Sequence, residues 1–138
     1  MKAKTKAEIR ELLESYHNLS ECVIENINWK DYGTTVEVIF DYIWTDDGRV
    51  RPKPDRPENI TLTFRLVQEF HMHNYLNATM CAQPGELGWG LNEVAVATVG
   101  DDVHDQYRFL PVPFNHVAFL WEDERRIDII FSELEILR

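Results

Sequence analysis

His71 and His73 stand two residues apart, so on a β-strand both imidazoles point to one side, a spacing that serves metal ligation in sheets. A third ligand would come from Glu69, His104 or His116, leaving an open position for small-ligand or hydrolytic chemistry. None of these partners lies at a diagnostic spacing, and the plainer reading is two solvated or hydrogen-bonded histidines with no metal and no cofactor. Nucleophilic catalysis has less to work with. Ser15, Ser20 and Ser132 fall in a helix, a turn and a terminal strand, and none occupies a G-x-S-x-G elbow. Cys81 could pair with His73 or His104, yet a thiol without a flanking signature is more often buried and inert. Gly85, Gly88 and Gly90 precede a strand-like run rather than a helix, so no phosphate cradle is indicated.

The acidic residues point to binding instead. Lys and Arg number 14 against 24 Asp and Glu, a formal charge of −10, which argues against a protein that must neutralise nucleic-acid phosphates. No Lys or Arg occurs between Arg65 and Arg108, where Glu69, Glu86, Glu93, Asp101, Asp102 and Asp105 all fall. Asp101, Asp102, Asp105 and Glu86 are the expected charged contacts for a basic protein partner, and solubility alone is the competing explanation of the charge. Trp89, between Gly88 and Gly90, could present its ring to a partner or tuck beneath a strand. Arg49, Arg51, Lys53 and Arg56 cluster in one Pro-rich stretch whose PxxP match, Pro54 to Pro57, is common by chance.

Periodicity supplies the elements that must position these residues. Thr5 and Glu8 form a capping box ahead of Ile9, Leu12, Leu13 and Tyr16, predicting a helix from about Lys6 to Tyr16. Strands are expected at about 22–29, 34–44, 59–67, 87–98, 115–122 and 126–137. In the first, Val23, Ile27 and Trp29 share a face opposite Cys22 and Ile24. In the next two, Val36, Val38, Phe40, Tyr42 and Trp44 share one face, and Ile60, Leu62, Phe64 and Leu66 another. The loop at 45–58 should join these two as antiparallel neighbours. Residues 74–81 read as a short helix with Tyr75, Leu76 and Met80 inward, and 100–113 as a long connection. The run from His116 to Ile136 reads as a hairpin with a three-residue turn, Asp123 to Arg125. That turn would set Trp121 opposite Ile127, Phe119 opposite Ile129 and Val117 opposite Phe131. Phe40, Phe64, Trp121 and Phe131 should then be buried.

These elements predict an α+β chain, a mainly antiparallel curved sheet or small sandwich of about six strands with one N-terminal amphipathic helix. Its 138 residues suit one domain, 1–138. Cys22 and Cys81, far apart and outside any C-x-x-C spacing, read as free thiols of a reducing cytoplasm. No leader and no apolar membrane span is expected.

The helix followed by Asn18-Leu19-Ser20-Glu21-Cys22-Val23-Ile24 and an antiparallel sheet resembles small immunity proteins of bacterial polymorphic-toxin systems. The resemblance implies a cytoplasmic, non-enzymatic protein that binds and blocks a basic cognate toxin, and it assigns no residue roles. The sequence reading is thus a non-enzymatic acidic protein-binding domain. A small-ligand or metal-binding β-domain, or a small enzyme using His71 and His73, is the alternative.

Overall fold

Strands with one apolar face can only hide those faces against one another, and the alternating runs do so as two antiparallel sheets. The computed structural model describes residues 2–50, 58–83, 94–122 and 124–138, the side chain of His104 excepted. The first sheet has the order β1 (Lys2–Ala3), β9 (Glu133–Leu137), β4 (Asn59–Arg65), β3 (Thr35–Asp41), β2 (Val23–Lys30). The second has the order β5 (Glu69–His73), β8 (Arg126–Phe131), β7 (Asn115–Leu120), β6 (Val96–Val99). Among the described residues, α1 (Lys6–Ser15), α2 (Ala78–Ala82) and α3 (His104–Tyr107), with 3-10 turns at His17–Leu19 and Asp31–Gly33, give the α+β character.

The capping box at α1 forms as its sequence requires. Thr5 Oγ1 accepts from the Glu8 amide at 3.2 Å, and Glu8 Oε1 accepts from the Thr5 amide at 3.1 Å. Ile9, Leu12 and Leu13 are buried, and the helix packs beside β6. Between the sheets, Val36, Val38 and Phe40 of β3 and Ile60, Leu62 and Phe64 of β4 meet Val117, Phe119, Ile127, Ile129 and Phe131. Phe64 sets its ring edge-on to Phe119 at 6.1 Å and to Phe131 at 4.8 Å, the favoured geometry for aromatic quadrupoles. The four rings expected in the core are all there, with Trp121 the most accessible at 7%. β3 and β4 are antiparallel neighbours, Phe40 opposite Ile60 and Val36 opposite Phe64.

Several boundaries differ from the sequence reading, each for a physical reason. The β7–β8 connection takes five residues, closed by the Trp121 amide donating to the Arg125 carbonyl at 3.2 Å. Phe119 therefore faces Ile127, Val117 faces Ile129 and Asn115 faces Phe131. The shift from the expected register is two residues, so every side chain keeps its face. The run 126–137 is two strands, not one. It passes at Ser132 from the second sheet to the first, beside the equivalent crossing of 66–68 from β4 to β5. The two crossings are tied by the Ser132 amide on the Arg65 carbonyl at 3.0 Å and the Gln68 amide on the Ile130 carbonyl at 2.7 Å. Between the paired positions Arg65–Glu133 and Glu69–Ile130 three residues lie on one side and two on the other, and Leu66, expected inward, takes φ +53° and is 51% exposed.

In β2 a bulge between Ile24 and Asn26 reverses the expected phase, placing Ile24, Ile27 and Trp29 on one face opposite Phe40, Val38 and Val36. β3 stops at Asp41, and Trp44 instead stacks on His17 at 4.7 Å and donates Nε1 to the Ser20 carbonyl at 2.8 Å. Helix α2 begins later than expected, leaving Tyr75 and Leu76 outside it and exposed. The stretch at 100–113 contains the short α3. Of the expected strand 87–98 only the end is described, as β6, and Glu86 and Trp89 lie outside the described residues.

Candidate functional site

The outward face of the second sheet gathers four of the polar side chains singled out above, Glu69, His71, His73 and His116. Antiparallel pairing puts Glu69, His71 and His73 of β5 level with Ile130, Asp128 and Arg126 of β8, and His116 of β7 level with Ile130. Side chains level with one another share a face, so the sheet carries a small ionic field on its solvent side. At its centre Asp128 accepts from Arg126 Nε at 2.7 Å and Nη2 at 2.6 Å and pairs with His116 Nε2 at 2.7 Å. Burial alone would raise the Asp128 carboxyl. The bonds from Arg126 and His116 outweigh it and hold the group below the usual carboxylate range. Arg126 is correspondingly raised, first by its bond to Asp128, with the charge of Asp101 a lesser contributor. Gly100 closes this cluster: its amide donates to the His116 carbonyl at 2.8 Å and its bare Cα makes room for the His116 ring.

His71 and His73 do point to one side, their rings parallel and 6.2 Å apart, and His73 stacks in turn on Tyr75 at 5.6 Å. His71 Nε2 meets Glu69 Oε1 at 2.9 Å, and Tyr107 of α3 donates its hydroxyl to the other Glu69 oxygen. His116, a candidate third ligand, is committed to Asp128 on a different strand. Among the described residues no group of three or more His, Cys, Asp or Glu side chains stands close enough to hold a metal ion. Cys22 is buried and Cys81 exposed. The rings of His116 and His71 are each paired with a carboxylate, Asp128 and Glu69 respectively.

The loop from Gly100 to Phe114 has a different character. Asp101, Asp102 and Asp105 are all exposed, as their loop position implied. Four residues beyond Asp105, Phe109 is 76% exposed, and Leu110, Pro111, Val112 and Phe114 line an open groove of about 270 Å³ with Thr34, Leu66, Val67 and Gln68. The groove sits where the chain crosses between the sheets, because Leu66 is turned outward there by its left-handed backbone. The sequence reading gave Phe109 no role and placed Leu66 inward, in phase with β4. Phe109 carried a usable signal, an aromatic in an acidic loop outside any alternating run, whereas Leu66 continued the phase of β4 and gave none.

No protein family matches this chain, and no curated protein does so either. Among solved structures it is similar to an uncharacterized protein from Neisseria gonorrhoeae, at 12% identity and a TM-score of 0.52, over 100% of this chain and 98% of that one. That likeness concerns the fold. Among the described residues, no helix is long and apolar enough to cross a membrane.

Proposed function

We propose that the chain is a non-enzymatic protein-binding domain whose partner is basic and is met by the loop from Gly100 to Phe114. The observation that carries this reading is the meeting, on one loop, of three exposed carboxylates with a largely exposed phenylalanine and an apolar groove. Binding energy concentrates in aromatic anchors seated in apolar surroundings, while surrounding charge steers encounter and excludes partners of like sign. Phe109 with the groove supplies the first, and Asp101, Asp102 and Asp105 supply the second. Inhibition of a basic cognate toxin is the form of this function that the likeness to immunity proteins suggests, and a cytoplasmic setting goes with it.

A photo-crosslinking residue at position 109 should capture the partner, and one placed on the outward face of β4 should not. With the partner purified, reversing Asp101, Asp102 and Asp105 to Lys should slow association about tenfold or more at low salt and flatten its salt dependence. Phe109→Ala should act on dissociation instead. Unchanged rates in correctly folded variants would remove this loop as the contact surface.

A further inference from the structure

The open edges of the two sheets are not treated alike. β1 has two residues. β2 is interrupted by its bulge, ends in Lys30, and has Asn26 accepting from the Ile27 amide through its own side chain at 2.9 Å. β6 lies against α1, and the chain just before it is bonded to the segment after α1, Val94 to Glu21 and Cys22. Short length, bulges, charge and covering elements are the means by which natural edges avoid pairing with another chain. β5, Glu-Phe-His-Met-His, is five residues long with one carboxylate, and has no bulge within its ladder. Its ladder to β8 runs without a register shift, it contains no Lys, Arg or Pro, and no described strand pairs with its other side.

We infer that β5 is a self-association strand, pairing antiparallel with β5 of a second copy about a two-fold axis through His71. The sequence of the strand is its own complement in that register. Phe70 falls opposite Met72 of the second copy, Glu69 opposite its His73, and the two His71 residues meet on the axis. Apolar thus meets apolar and carboxylate meets imidazole, twice over by symmetry. Met72 is 42% exposed in the single chain, and Tyr75 and Leu76, immediately beyond the strand, are 55% and 54% exposed. Phe70 already has one ring partner within the chain, Trp29, edge-on with centroids 5.1 Å apart. The two four-stranded sheets become one of eight, and the unpaired backbone groups of β5 are satisfied.

This inference is independent of the loop reading, and a variant that abolishes pairing should leave capture at position 109 unchanged. Sedimentation velocity on the full chain should show a reversible, concentration-dependent dimer. His71→Lys places two ammonium groups face to face on the axis while each keeps Glu69 beside it, so it should be monomeric with an unchanged melting temperature in dilute solution. In a Cys81→Ser background, His71→Cys should form a disulfide-linked dimer on mild oxidation. Cα atoms directly opposite across a ladder lie roughly 4.5–5.5 Å apart, within disulfide reach. His73→Cys should not link, because its symmetry mate lies roughly 13 Å along the strands. A wild-type chain that stays monomeric at its highest soluble concentration, a dimer that survives His71→Lys, or equal cross-linking at positions 71 and 73 would each overturn the proposal.

Discussion

Gly100 shows how one absent atom holds a charged cluster together. A Cβ on Gly100 would stand 2.1 Å from His116 Nδ1 and 2.6 Å from two ring carbons, so the ring would have to leave Asp128. Gly100→Ala should therefore cost about 1–3 kcal/mol, the usual range for stranding a part-buried polar pair. Denaturant titration with imidazole NMR shifts for His116 checks it, and an undisturbed ring resonance would refute it. Asp128 itself gives the cluster a pH signature. Its folded pKa lies below the unfolded value, so its contribution is complete above about pH 4 and fades as the pH falls through the lower folded value. Asp128→Asn should lower stability at neutral pH and lose less of it than wild type between about pH 4 and pH 2. Melting curves across that range decide the matter, an identical acid limb in both proteins being the contrary result.

At the scale of elements, strict alternation was readable and changes of direction were not. Phe40, Phe64 and Phe131 were placed correctly because their strands alternate without a break, and the two-residue error in the β7–β8 register left every face intact. The crossings at Leu66 and Ser132 carry no Gly or Pro, so the sequence ran straight through both. Leu66 is the costlier of the two, since a left-handed backbone crowds any Cβ. Leu66→Gly should accordingly be more stable than Leu66→Ala by about 1 kcal/mol, the reverse of the order expected in an ordinary strand. Thermal denaturation of both variants tests this, and Ala equal to or better than Gly would show that the site relaxes away from positive φ. The candidate surface was legible to the same degree. Composition exposed Asp101, Asp102 and Asp105, but the groove beside Phe109 is made by a crossing that no periodicity announces.

For the whole molecule, the paired crossings join what would otherwise be two stacked layers. β4 continues into β5 and β9 into β8, and each pair is hydrogen-bonded to the other on both sides of the bend. The result is one folded ribbon running through both sheets. Peeling one layer from the other would break this ribbon at the bend, so one layer is not expected to persist alone on opening. Amide protons of β4 and β9 should then share their slowest exchange with those of β8, all reporting the global unfolding step. A chain of this kind responds to a destabilising change anywhere along the ribbon by losing population of the whole native state, and the Gly100 loop and the β5 edge would both disappear from solution together with it.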